Sequence, residues 1–199
     1  MSHLPALLRT AALLAALGIL LSAGPAARAQ TMGDPEEFTA FAVNMGTYVV
    51  GTTANVIITV NRWTSTAERD SLLEILRLKG QEAFFNALKN AKRVGTLRTP
   101  ESVGYDLRLA YDEPGKDGGR RILIATDRPI GFTEARVRPP SIDYPLTIID
   151  MTLSPEGKGE GTMSVAAKLI PTGKNIVVEN YDTQPVRLNR IESRKLVKR

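Results

Sequence analysis

Asp127, Glu134 and Asp150 are the side chains of this sequence best suited to acid/base work, because histidine and cysteine are missing from the body of the chain. There is no cysteine at all, and the single histidine is His3, inside an N-terminal leader. Ser-His-Asp and Cys-His arrangements are therefore excluded from that body, as are zinc sites built on nitrogen and sulfur ligands. No serine stands three residues before a lysine, and neither Asp-Thr-Gly nor Asp-Ser-Gly occurs. Two carboxylates about 5 to 10 Å apart across a sugar can hydrolyse a glycosidic bond. Glu134 with Asp127 or Asp150 could supply such a pair, although acids at strand ends are more often solvated or paired with an arginine.

A second group is basic. Arg120, Arg121, Arg128, Arg136 and Arg138 crowd one stretch of chain, and guanidinium groups suit bidentate binding of carboxylate or phosphate. Arg120, Arg128, Arg136 and Arg138 are thus candidate ligand-binding residues, against the plainer reading that they pair with Asp127, Glu134 and Asp143. Trp63, the sole tryptophan, is a weak candidate stacking platform for a ligand; packing at a sheet-to-helix corner explains it adequately and is the favoured reading. Asp112, Glu113 and Asp117 lack the spacing of a calcium loop. Gly157 to Gly161 lacks the spacing of a phosphate loop and reads as a hairpin turn. No metal site and no cofactor is expected.

The elements that must position these residues follow from the hydrophobic periods. Arg9, the apolar run Ala11 to Leu21, the Gly24-Pro25 break and Ala27-Arg28-Ala29 form the pattern of a secretory signal, residues 1–29, cleaved after Ala29. The apolar run is too short to span a bilayer, which takes roughly 20 residues, so no membrane span is expected after cleavage and the protein is expected to be secreted or periplasmic. Removal of Arg9 and Arg28 lowers the formal charge from +5 to +3. The remaining chain, about 170 residues, suffices for one domain with a substantial core, assigned to residues 30–193. Residues 194–199 read as a basic, frayed tail; no aromatic side chain interleaves with its charges, so nucleic acid is not an expected partner.

Phe38 to Val50 and Val56 to Trp63 read as a β-hairpin. Ser65-Thr66-Ala67-Glu68 has the spacing of a helix capping box. Leu72, Leu73 and Leu76 supply one helical stripe; Lys79-Gly80 ends it; Phe84, Ala87, Leu88 and Ala91 supply another. From Arg93 onward the chain reads as strands and turns, with a clean alternation from Val103 to Tyr111 and an irregular, proline-containing segment over 128–145. About nine strands joined by short linkers predict an α+β domain: a mostly antiparallel sheet, forming a sandwich or a partly closed barrel, with an inserted pair of short helices.

The strings Phe-Ala-Val-Asn-Met-Gly (41–46), Ala-Thr-Asp-Arg-Pro (125–129) and Val-Glu-Asn-Tyr (178–181) resemble those of an uncharacterised family of small exported bacterial proteins. The resemblance implies export and a single domain, and carries no activity or site. The leading functional expectation is a non-catalytic exported domain that binds a small ligand or an envelope protein in the interior or mouth of a curved sheet, with the helical pair as a lid. The alternative is a carboxylate-dependent glycan hydrolase.

Overall fold

A computed structural model describes residues 33–44, 53–100, 103–128, 144–172, 175–180 and 184–197. Among these residues, ten strands, one α-helical element and one short 3-10 turn follow in the order β1 (Glu36–Val43), β2 (Thr53–Val60), α1 (Thr66–Asn90), β3 (Gly95–Arg98), β4 (Tyr105–Leu107), β5 (Leu109–Pro114), the 3-10 turn (Lys116–Gly118), β6 (Arg120–Thr126), β7 (Leu146–Leu153), β8 (Lys158–Thr172), β9 (Asn175–Asn180) and β10 (Val186–Lys195). Every pairing among the described residues is antiparallel, and the sheet runs β4-β3-β2-β1-β10-β8-β7-β6-β5, with β9 attached to β8.

The two ends of that order, β4 and β5, are consecutive in the chain and meet at Arg108. The Arg108 N–H donates to the Ala125 carbonyl at 3.0 Å, and the Thr126 hydroxyl donates to the Asp106 carbonyl at 2.7 Å. The sheet therefore curls into a nearly closed barrel, the more closed of the two expected arrangements. Closure leaves few strand edges exposed.

Two apolar cores result. Alternate residues of the strands fill the barrel interior, among them Phe38, Ile58, Leu107, Ile124, Met151 and Leu188, all without exposed surface. The second core lies outside the wall, where Leu72, Leu76, Phe84 and Leu88 of α1 pack on Leu109, Leu123, Ile148 and Ala167. The alternating run read as one strand from 103 to 111 serves both: Leu107 points into the barrel and Leu109 into the helix-covered core, with the phase changing at Arg108. Leu107 and Leu109 would share a face in an unbroken strand, so the break is what allows one run to supply two cores.

The helix begins as its sequence predicts. The Ser65 hydroxyl accepts from the Glu68 N–H at 3.2 Å, and the Ser65 N–H donates to the Glu68 carboxylate at 2.9 Å. Hydrogen bonding from Arg62, at 2.9 Å, is the main reason the Glu68 carboxyl titrates at about 2. The expected pair of helices is one 25-residue element, kinked at Gly80, which has φ 82° and ψ −176°. That backbone region is accessible almost only to glycine, and a Cβ at this position would meet nothing within 4 Å. Gly80→Ala is therefore expected to cost about 1–3 kcal/mol through backbone strain alone, read as a lower denaturant midpoint at unchanged slope.

The hairpin turn read over Gly157 to Gly161 falls earlier in the structure, since β8 already begins at Lys158. Gly159 permits this: a Cβ there would overlap the Thr152 carbonyl oxygen of the neighbouring strand. No described helix is long and apolar enough to cross a membrane.

Candidate functional site

The described residues expected to form a site fall in three places. At the mouth where β1 and β6 begin and β10 ends, the carboxylate of Glu36 is enclosed, with 1% of its side chain exposed. Arg120 donates to it through both terminal nitrogens, one at 3.0 Å, and Lys195 donates at 2.9 Å. The Arg120 guanidinium lies 5.9 Å from the ring centres of both Phe38 and Trp63, and 3.6 Å from Asp112. Burial opposes ionisation of Glu36, but the hydrogen bonds and charges of Arg120 and Lys195 outweigh it and hold the carboxyl below its ordinary range.

Arg120 and Trp63 are thus brought together, but both are engaged within the protein. Trp63 is buried, meets Phe38 edge to face at 6.4 Å, and donates its indole N–H to the Asp34 carbonyl at 3.0 Å. No ring face is presented for stacking, and the cluster acts as a polar plug joining three strands. Lys195, and Arg194 paired to Glu37 at 2.8 Å, belong to β10, so that strand extends two residues into the segment expected to fray.

Asp127 and Arg128 follow the end of β6. Asp127 is nearly buried and lies 3.7 Å from Arg108, whose guanidinium also donates to the Ala91 carbonyl at 3.1 Å. Arg128 is exposed, with its carbonyl accepting from the Thr147 hydroxyl at 3.0 Å. Glu134, Arg136 and Arg138 lie outside the described residues.

Asp150 sits on the outer wall and is held by Arg121 through two hydrogen bonds of 2.9 and 2.5 Å. It pairs in register with Leu123, four residues before Asp127, which is about 13 Å along a strand. That separation exceeds the span of a glycosidase pair, and both carboxylates face arginines. Among the described residues, no group of three or more metal-ligating side chains converges.

The wall around Asp150 has more to offer. The last part of β8 pairs with β9 to form an arm, and a groove of about 340 Å³ lies between arm and wall. Arg121, Asp150, Thr162 and Ser164 line it from the wall, while Ile176, Val178 and Asn180 line it from the arm. The amide oxygen of Asn180 is buried without a hydrogen-bond partner, as are Gln81 Nε2, Arg108 Nε and Asp127 Oδ1, and a buried polar atom left unpaired is costly.

The arm is anchored on both faces. Leu169 enters the helix-covered core, and its N–H donates to Gln81 at 3.2 Å. On the other face Glu179 accepts from Tyr144 at 2.6 Å and pairs with Lys168 at 3.0 Å. Tyr111, within electrostatic reach of Arg121 and Asp150, is pushed up to about 12 by burial and stays neutral at physiological pH.

Sequence reasoning named Asp150 but missed Thr162, Ser164 and Asn180, whose residue types are common and whose spacing carries no motif. Glu36 did leave a signal: it is in phase with Phe38, Ala40 and Ala42 on the inward face. Comparisons with family models, curated proteins and solved structures give no match to this chain.

Proposed function

We propose that the chain is an exported, non-catalytic binding domain that uses the outside of its barrel, with the groove beneath the β8–β9 arm as its ligand seat. The observation that carries this reading is the groove itself, where Arg121, Asp150, Thr162, Ser164 and Asn180 gather polar groups from four strands beside Ile148 and Val178. The Asn180 amide oxygen is buried without a partner, and a turn of its side chain toward a donor in the groove would remove that cost.

Three further features favour the wall over the interior. Among the described residues, side chains from every wall strand pack in the lumen, which favours the wall as the seat. The helical element covers a wall and has no described lumen to close as a lid. The charges at the mouth are consumed by one another. Export rests on the leader pattern at 1–29. Glycan hydrolysis through Asp127 and Asp150 draws no support from their separate arginine partners.

The test is native mass spectrometry of the mature chain isolated gently from its own host. A reproducible added mass that disappears in Asn180→Ala is the expected result. A bare protein mass, or an adduct indifferent to that substitution, overturns the reading.

A further inference from the structure

Resting on that reading, we infer that the groove takes a neutral, hydroxyl-rich ligand: a single saccharide unit or a cyclic polyol. The groove carries one cation and one anion, Arg121 and Asp150, and these are already joined by two hydrogen bonds. An anionic ligand on the remaining Arg121 N–H groups would lie beside the Asp150 carboxylate, and a cationic one on Asp150 would lie beside the Arg121 guanidinium. The pair is close to neutral as a unit, so a charged ligand gains little net attraction from it.

A neutral molecule meets neither repulsion. Arg121 uses Nε and Nη2 toward Asp150, leaving guanidinium N–H groups free to donate. Asp150 keeps lone pairs to accept. The hydroxyls of Thr162 and Ser164 serve as donor or acceptor, and the Asn180 side-chain amide carries both a donor and an acceptor. Donors and acceptors of both kinds, spaced around one small cavity, match adjacent hydroxyl groups on a ring.

The apolar lining fits the same chemistry. Ile148 and Val178 line the groove beside the polar set and offer a dry surface to ring C–H groups. A volume of about 340 Å³ lies at the small end of the range for ligand pockets, suited to one ring. Free sugars and the terminal unit of a glycan present the same groups.

The experiment titrates the isotope-labelled mature chain, followed by amide NMR, with methyl glucoside, methyl galactoside, methyl mannoside and myo-inositol. Gluconate and glucosamine serve as charged counterparts, and a methyl disaccharide as the glycan-end probe. The expected result is saturable shifts at Thr162, Ser164 and Asn180 for at least one neutral probe, with affinity at least tenfold above either charged counterpart. Asn180→Ala should weaken that binding about tenfold, and Thr162→Val, a near-isosteric replacement that keeps the strand intact, should weaken it severalfold.

Tighter binding of a charged probe at the same residues overturns the ligand class and leaves the binding reading standing. Neutral binding with shifts elsewhere and no response to either variant overturns the site. Silence from every probe overturns this inference, and the mass of the host-isolated protein then decides the binding reading separately. Comparable affinity for the disaccharide and its monosaccharide supports the inference with a glycan end as the source; tighter monosaccharide binding supports it with a free sugar.

Discussion

Arg120→Ala should destabilise the domain by about 3–5 kcal/mol, the typical cost of removing one partner from a buried ion pair. Glu36 has 1% of its side chain exposed, so it cannot recover by solvation what the guanidinium supplied. Lys195 remains at 2.9 Å, but it is half-exposed and contributes less, which favours the lower part of that range. The same substitution also removes the cation from above Phe38 and Trp63. The double variant Glu36→Leu with Arg120→Met should recover much of the loss, because it leaves no uncompensated charge. Urea unfolding of the two variants and the parent provides the test; equal stability of Arg120→Ala and the parent would show that the plug contributes nothing.

The pH dependence carries the same information. The folded carboxyl of Glu36 titrates below its ordinary value, so the unfolded chain binds its proton first as pH falls. The stabilisation is fully present above the unfolded pKa, in the ordinary carboxylate range, and is lost as pH drops through the lower folded value. In Arg120→Ala the hydrogen bonds and charge that lower the folded pKa are largely gone, and desolvation remains. The acid-induced loss should therefore be shallower than in the parent, measured as the slope of unfolding free energy between neutral pH and pH 3.

This cluster also marks how far a sequence can be read. The capping box at Ser65 to Glu68 was legible because its two hydrogen bonds join residues three apart. The alternation of Val56, Ile58 and Val60 was legible for the same local reason. Glu36 and Arg120 are 84 residues apart, and only closure of the barrel brings them together. In one dimension Arg120 is most visible as a member of an arginine-rich stretch, which suggests an anion ligand; the anion is a side chain from the first strand.

Asp150 and Arg121 behave alike, 29 residues apart and adjacent only through the β6–β7 ladder. Barrel closure itself turns on the break at Arg108, within an alternation that looks continuous because both flanking cores demand apolar residues at the same spacing. Periodicity reports that a residue faces a core; it does not report which one. For the same reason the groove under the arm left no trace, since its polar groups come from β6, β7, β8 and β9 and carry ordinary side chains.

Phe38→Ala should cost about 3–5 kcal/mol, the range for deleting a buried aromatic side chain, whereas Phe41→Ala should stay within about 0.5 kcal/mol of the parent. The two phenylalanines share β1 and lie three residues apart, so they project to opposite faces. Phe38 has no exposed surface and contacts Trp63, while Phe41 is 40% exposed on the outer wall. Their contrast tests the register of β1 between β2 and β10, the pairing on which closure depends. A slip of one residue would carry Phe38 outward and Phe41 inward and reverse the order of the two effects. Equal losses would mean that both faces of β1 are covered, which the barrel does not allow. Denaturant midpoints of the two single variants, compared at equal slope, decide between these outcomes.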